Sequence, residues 1–222
     1  MAQTKFQISN LEEGITLIEI IVVIFIIALF SSIIIANFPE ILRQYALSKV
    51  TYKLAQDLRK TEDLGLSGVT SADANKQSIA VKGYGIYINL SQPSTQYIIY
   101  ADVADANGNS DQEYSGNTPY TICSAVNQEA DRVRELDCAM EPPIDVSNDN
   151  SSLYIKDIKN SNGSNIAGSS ISINFMPPNP NIKIIDNQGT TYTQIGIVLG
   201  LSSGSSSTRT VWVNTSGLIN VQ

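Results

Sequence analysis

The chain of 222 residues contains no histidine. Histidine is the most frequent general base in enzymes and a frequent metal ligand. A catalytic site or a metal site in this chain would therefore have to use other residues. The pattern Gly-x-Ser-x-Gly occurs at 200–204, but a serine hydrolase needs a base beside its serine. Aspartate and glutamate are numerous, yet no spacing singles out a catalytic pair. We therefore interpret 200–204 as a loop and expect no enzymatic activity.

Cysteine is also scarce. The two cysteines, Cys123 and Cys138, lie 15 positions apart and form no Cys-x-x-Cys pair, which argues against a zinc site or a thioredoxin-type centre. In an oxidising compartment a disulfide between them is the expected state. Closing a loop of this length would stabilise the fold by about 3 kcal/mol in the chain-entropy model. Two buried free thiols are the alternative.

Basic residues are outnumbered, with 14 lysines and arginines against 21 aspartates and glutamates, and the net charge is -7. An acidic protein repels the phosphate backbone, so nucleic acid is not an expected partner. The C-terminal segment after residue 201 contributes a single basic residue, Arg209, which also argues against DNA binding there.

What the sequence does contain is an apolar run of 22 residues from Ile15 to Ala36. Neither glycine nor proline interrupts it, and only four of its residues are polar: Thr16, Glu19, Ser31 and Ser32. A helix of this length extends about 33 Å, the thickness of a bilayer's hydrocarbon core. β-branched residues dominate the run, but strands rarely exceed about 10 residues. The length therefore predicts a membrane-spanning helix over 15–36.

Glu19 is the unusual member of this run. An ionised carboxylate at the bilayer centre costs on the order of 2.5–3.5 kcal/mol, and somewhat less near the end of a span. One interpretation is that the side chain reaches the headgroups. The other is that the carboxylate meets a cation within the membrane. A free amine at Ile15 of a neighbouring copy, created by a cut after Gly14, would be such a cation.

The start of the apolar run resembles the processing site of type IV prepilins and type II secretion pseudopilins: it reads Gly14-Ile15-Thr16-Leu17-Ile18-Glu19. The resemblance implies that a prepilin peptidase cuts after Gly14 and methylates Ile15, so that residues 1–14 are a leader. It also implies that Glu19, with Thr16 beside it, serves assembly by engaging the amine of a neighbouring subunit.

The same resemblance implies a structural subunit of a helical filament, either a pilus or a secretion pseudopilus. Its partners would be the prepilin peptidase, homologous pilin or pseudopilin subunits and the inner membrane. It would cross the bacterial cytoplasmic membrane once, with its globular domain outside the cytoplasm. Lysines and arginines are more numerous after the run than before it, which taken alone favours the opposite orientation. The alternative function is an unprocessed single-pass anchor that displays an external binding module.

Residues 15–66 are predicted to form one long helix, which Pro39 should kink or locally melt. Beyond Pro39, apolar residues at helical spacing share one face: Leu47, Val50, Leu54 and Leu58. We expect this face to pack on a sheet, and Gly65 and Gly68 to end the helix.

Residues 67–222 are rich in serine, asparagine, threonine and glycine, with short runs of isoleucine and valine, which predicts a β-rich domain. Ser78–Val81 and Tyr84–Leu90 are expected to form a hairpin around Lys82-Gly83. A short helix is expected at 127–136, and further strands at 96–103, 153–158, 171–176, 181–186, 192–201, 209–214 and 218–221.

The predicted fold class is α+β, with the long helix packed on an antiparallel β-sheet or sandwich. The stretches 83–88 and 174–177 and the final hairpin are similar to those of the H-type minor pseudopilins and related minor type IV pilins. This similarity implies the same architecture.

Oxygen-bearing side chains stand at alternate positions after the strand at 96–103: Asp105, Asn107, Asn109 and Asp111. Hard oxygen ligands around a tight turn are what calcium requires, although the spacing is not that of an EF-hand. A solvated turn is the alternative, because aspartate, asparagine and glycine form turns without metal. Calcium is the one cofactor that the sequence suggests, and none is required.

Overall fold

A computed structural model describes residues 15–72, 78–79, 81–91, 94–104, 107–116, 120–125, 137–148, 150–177, 181–202 and 207–222. One long N-terminal helix is followed by antiparallel β-sheets, so the α+β architecture is as predicted. The chain divides into two compact units, of which the first ends at Leu42 and the second comprises Arg43–Gln222.

Helix α1 extends over Leu17–Ser67 and begins in the first unit. The side chains of 15–39 are exposed on every side of the helix, including all the large apolar ones. An 18-residue window of α1 has a mean hydropathy of 3.1, and none of it is buried. By length and composition this helix could cross a membrane, as the sequence predicts. An apolar surface all round is what a helix in lipid requires.

Pro39 lies inside α1, and the helix continues through it, so of the two predicted effects, a kink or local melting, the melting is wrong. Proline removes one backbone hydrogen bond, but the residues on both sides keep their helical conformation. Two residues earlier, the Asn37 amide donates from Nδ2 to the Ile33 carbonyl at 2.8 Å, which satisfies a polar group within the helix itself. The helix ends where predicted, before Gly68, whose φ of 61° is a left-handed conformation that favours glycine.

The described part of the second unit forms twelve strands: β1 (Ser71–Ala72), β2 (Ser78–Ile79), β3 (Val81–Asn89), β4 (Gln96–Val103), β5 (Cys138–Ala139), β6 (Ile144–Asp145), β7 (Leu153–Asn160), β8 (Ser170–Met176), β9 (Asn181–Asp186), β10 (Gln194–Leu201), β11 (Thr208–Asn214) and β12 (Ile219–Val221). A six-stranded sheet has the order β5-β4-β3-β8-β9, with β6 also paired to β4. A four-stranded sheet has the order β12-β11-β10-β7, and β1 pairs with β2. Neighbouring strands in these sheets are antiparallel.

The second unit has one principal core, to which the later part of α1 and both larger sheets contribute. The predicted apolar face of the helix is buried in it: Leu47, Val50, Leu54 and Leu58. Gly65 does not end the helix as predicted but lies buried within it. A Cβ at this position would collide with the backbone carbonyl of Phe175 in β8, so glycine is needed for the close approach of helix and strand.

The predicted hairpin around Lys82-Gly83 is wrong. Val81–Asn89 is one strand that pairs with β4 and β8, and the pairing with β4 shifts register between Val81 and Gly83. A Cβ at Gly83 would lie 2.7 Å from Asn174 Oδ1 and 2.8 Å from the Phe175 carbonyl oxygen. Gly83 is therefore needed for a β-bulge and for a close contact between strands, and not for the turn that the sequence suggested.

The strands predicted at 96–103, 153–158, 171–176, 181–186, 192–201, 209–214 and 218–221 agree with the structure to within two residues, and β4 and β9 have the predicted bounds. The short strands β1, β5 and β6 were not predicted. The helix predicted at 127–136 lies outside the described residues.

Candidate functional site

Thr16 caps the start of α1. The backbone N–H of Glu19 donates to the Thr16 carbonyl at 3.1 Å and to its Oγ1 atom at 3.3 Å. A threonine followed by glutamate three positions later is the capping-box sequence, so Thr16 and Glu19 together suit a helix N-terminus. We missed this local role in the sequence, although the Thr-x-x-Glu signal is present there. Gly14 lies outside the described residues, and Ile15 is exposed.

The surroundings of Glu19 contain no side-chain cation from its own segment. The sequence has no lysine or arginine between Ile15 and Leu42. Glu19 is exposed and stands among exposed apolar side chains, including Ile18 and Ile20. In a bilayer, a cation for this carboxylate would have to come from an amino terminus, another molecule or the headgroups.

Cys123 and Cys138 form a disulfide with a Cα–Cα distance of 4.8 Å, which confirms the predicted bond. Cys123 begins a short 3-10 turn, and Cys138 begins the edge strand β5. Both cysteines are buried. Asp137 directly precedes Cys138, so the disulfide lies next to a carboxylate.

Three aspartates meet beside this disulfide, and we call them the acidic pocket: Asp102, Asp111 and Asp137. One carboxylate oxygen of each lies within 4.8 Å of those of the other two. The antiparallel register of β4 and β5 pairs Ala101 with Cys138, which places Asp102 in β4 opposite Asp137, the residue directly before β5. Asp102 is 1% exposed and Asp137 2%, whereas Asp111 is exposed.

Hydrogen bonds tie the loop at 107–116 to the acidic pocket. Asp137 accepts from the backbone N–H of Val103 at 2.9 Å through Oδ1 and from that of Ser115 at 3.0 Å through Oδ2. The Oδ2 atom of Asp102 accepts from the Ser110 hydroxyl at 2.5 Å and from Asn174 Nδ2 at 2.8 Å. The two buried carboxylates therefore hold the loop against the sheet.

The acidic pocket has an excess of negative charge. Burial raises the pKa of Asp102 to about 6, although the hydrogen bond from Ser110 opposes this shift. Burial, followed by the charge of Asp102, raises the pKa of Asp137 well above its usual value. A lysine lies beside the pocket: Lys183 Nζ donates to the Asp111 carbonyl at 2.6 Å. One lysine does not balance three carboxylates, so the pocket favours binding a proton or a cation.

Of the four predicted calcium ligands, Asp111 is a member of the acidic pocket. Asp105 lies outside the described residues, and Asn107 and Asn109 are exposed in the loop. The carboxylate partners of Asp111 in the pocket, Asp102 and Asp137, come from distant sequence positions that we did not select. A signal was present, because Asp102 interrupts an otherwise apolar strand.

Comparison with known proteins found no match among protein-family models, curated proteins or solved structures.

Proposed function

We propose that this protein is a structural subunit, a minor pilin or pseudopilin, of a filament of the type IV pilus or type II secretion pseudopilus kind. Its apolar segment, 15–36, holds it in the inner membrane, and the second unit lies outside the cytoplasm. A prepilin peptidase removes residues 1–14 and methylates Ile15. The mature subunits then associate through their N-terminal helices with homologous subunits in an open-ended helical array.

The observation that carries this proposal is an unbalanced carboxylate. Glu19 lies one turn into an apolar helix that supplies no lysine or arginine up to Leu42. An anchor that only spans a bilayer gains nothing from such a charge, because burying it in lipid is unfavourable. An Ile15 amine on a neighbouring subunit would neutralise it, and this amine exists only after cleavage. Glu19 is the fifth residue after Gly14, which is where the resemblance places the carboxylate that engages this amine.

The architecture supports the same proposal. The helix continues beyond the apolar segment, and its later part is buried in the core of the β-rich unit. A long helix packed on antiparallel sheets is the fold that the resemblance implies for such subunits. The disulfide Cys123–Cys138 suits a domain in an oxidising, extracytoplasmic compartment.

A second candidate, the unprocessed single-pass anchor, is favoured by the cap at Thr16. The hydrogen bond from the Glu19 N–H to Thr16 Oγ1 gives the Thr-x-x-Glu sequence a role in starting the helix. That role requires neither cleavage nor a neighbouring subunit. The two candidates therefore differ in the fate of residues 1–14 and in the need for a charged side chain at position 19.

The mature protein, purified from its native membrane, is expected to begin at Ile15 and to carry one N-terminal methyl group. Intact-mass and N-terminal peptide measurements would show this directly. Gly14→Ala should leave the leader in place, because the resemblance implies that the peptidase requires glycine before the cut. As a control, Leu11→Ala changes the leader without touching the cut site and should be processed normally. A native protein that still begins at Met1 would contradict the proposal and favour the anchor.

Replacing Glu19 should separate its electrostatic role from its capping role. Glu19→Gln retains a side chain suited to the capping box but loses the charge, so membrane insertion should persist while filament incorporation falls at least about tenfold. This estimate corresponds to losing an interaction worth about 1.4 kcal/mol or more. Glu19→Ala should behave alike, and Glu19→Asp should restore part of the incorporation.

Incorporation would be measured as the fraction of the protein in sheared or purified filaments, relative to the membrane-bound total. Ser32→Ala is the control, because it also removes a polar group from the apolar segment but no charge. Normal incorporation of Glu19→Gln would show that the carboxylate charge has no part in assembly.

A further inference from the structure

Three buried side-chain oxygens in the described part of the chain lack a hydrogen-bond partner: Asp102 Oδ1, Tyr114 Oη and Asn174 Oδ1. Buried polar atoms almost always have a partner, so each exception points to strain, a water molecule or an ion. Asp102 and Asn174 are almost completely buried, at 1% and 0% exposure. These unpartnered atoms are therefore in a part of the molecule from which bulk solvent is excluded.

All three residues belong to the acidic pocket or its immediate wall. Asp102 is a member, and Asn174 donates to its Oδ2 atom at 2.8 Å. Tyr114 directly precedes Ser115, whose N–H donates to Asp137. The Tyr114 ring packs on that of Tyr100, with centroids 5.2 Å apart, and the Tyr100 hydroxyl accepts from Asn174 Nδ2 at 3.4 Å. The unsatisfied polar atoms thus concentrate where the negative charge concentrates.

We propose that the acidic pocket is a calcium site, in which Asp102, Asp111 and Asp137 each supply a carboxylate oxygen. Asp102 lies in β4, Asp137 directly precedes β5, and Asp111 comes from the loop at 107–116. The ion would bring the loop and the edge strand β5 together at one point. The ligand set differs from the alternate-residue set that the sequence suggested, with which it shares Asp111.

The charge of the acidic pocket fits a divalent cation. With all three carboxylates ionised, the pocket carries three negative charges, and Lys183 at the Asp111 carbonyl supplies one positive charge. At least two negative charges therefore remain, and a divalent ion would compensate them.

The chemistry of the donors favours calcium among divalent ions. The donors are oxygen atoms; the chain has no histidine, and its two cysteines are joined in a disulfide. Such a set suits hard cations and not zinc or copper. The ligand oxygens lie within 4.8 Å of one another, which is close enough for them to meet at one ion. Calcium accepts six to eight oxygens in a flexible arrangement, whereas magnesium requires a near-ideal octahedron and usually keeps several of its waters.

The test uses the full-length protein in detergent, first treated with a chelator and then supplied with 10 mM calcium chloride. Thermal unfolding is followed by the fluorescence of Trp212, the single tryptophan. A site with a Kd of about 0.1–1 mM, typical of extracellular modules, should raise the Tm by about 4–10 °C. Magnesium chloride at the same concentration should give a much smaller rise.

Two variants assign the effect to the pocket. Asp111→Asn removes the charge of an exposed ligand, and Asp137→Asn removes the charge of a buried one. In both variants the new side chain has nearly the same shape as the one it replaces. Both should lose most of the calcium-dependent rise in Tm. Because Asp111 is exposed, Asp111→Asn should fold, so it tests whether calcium binds at the acidic pocket even if Asp137→Asn does not fold. Asp157→Asn in β7 is the matched control and should keep the full rise.

Three results would overturn the proposal. The first is an unchanged Tm of the natural sequence on adding calcium, which would mean that protons neutralise the pocket. The second is a calcium-dependent rise that persists in Asp111→Asn and Asp137→Asn. The third is an equal rise with magnesium, which would contradict the choice of calcium.

Discussion

Leu54→Ala is expected to lower the free energy of unfolding of the second unit by about 2–5 kcal/mol. Leu54 is fully buried and belongs to the core that joins α1 to both larger sheets. Its truncation removes apolar contacts and leaves a cavity between elements that cannot easily close around it. Chemical denaturation of the detergent-solubilised chain, followed by Trp212 fluorescence, would measure the loss.

Leu66→Ala is the matched control for this prediction, because it makes the same chemical change in the last turn of the same helix. Leu66 is 39% exposed, so its truncation should cost less than about 1 kcal/mol. Similar losses for the two variants would mean that burial along this face of α1 does not determine the stability of the unit. A large difference would show that the later half of the helix and the sheets unfold together.

In the proposed filament, this packing has a mechanical consequence. The same helix begins as an exposed apolar segment and ends inside the core of the second unit. If assembly acts on the N-terminal segment, the load passes to the β-rich unit through residues such as Leu54 and Leu58. A loss of core packing should therefore reduce filament yield without affecting cleavage after Gly14.

The helix and most strands could be predicted because their signals are local. The spacing of Leu47, Val50, Leu54 and Leu58 indicates one buried helical face, and the structure buries all four. The apolar run from Ile15 identifies a helix that could cross a membrane, as found. Strands such as β4 and β9 contain compact runs of β-branched and aromatic residues with turn residues around them, so even their bounds were predicted.

The wrong hairpin prediction arises where distant residues decide the local structure. Lys82-Gly83 has the composition of a tight turn, but Gly83 is needed for its close approach to Asn174 and Phe175. Pro39 usually disrupts a helix, yet α1 continues through it. At Gly83, the residue's usual local preference differs from what the neighbouring strands require, whereas Pro39 is exposed and the structure offers no packing reason for the unbroken helix there.

The acidic pocket could not be predicted for the same reason as the strand at Gly83. Its two buried carboxylates are far apart in sequence and become neighbours only because β4 pairs with β5. Strand pairing of this kind depends on register, which one sequence does not reveal. The sequence pattern did select Asp111, since aspartates in a turn have a local signature, but it joined Asp111 to its neighbours in the loop.

Removing the disulfide is expected to lower the free energy of unfolding by about 2–5 kcal/mol. The change is the double substitution of serine for Cys123 and Cys138, which also avoids leaving one free thiol. The physical reason is that the bond restricts the unfolded chain, and the chain-entropy model gives about 3 kcal/mol for a loop of this size. Denaturant unfolding under oxidising conditions would measure the difference. Dithiothreitol should destabilise the natural sequence to a similar extent and leave the double variant unchanged, which would serve as the control.

The same double variant should lose much of the calcium-dependent rise in Tm. Strand β5 has only two residues, lies at the edge of its sheet and begins with Cys138. The disulfide holds this strand on one side and its pairing with β4 holds it on the other. Without the covalent bond, the edge strand should fray and carry Asp137 away from Asp102, so that two ligands no longer converge. A full calcium response in the double variant would instead mean that the hydrogen bonds from Val103 and Ser115 are sufficient to position Asp137.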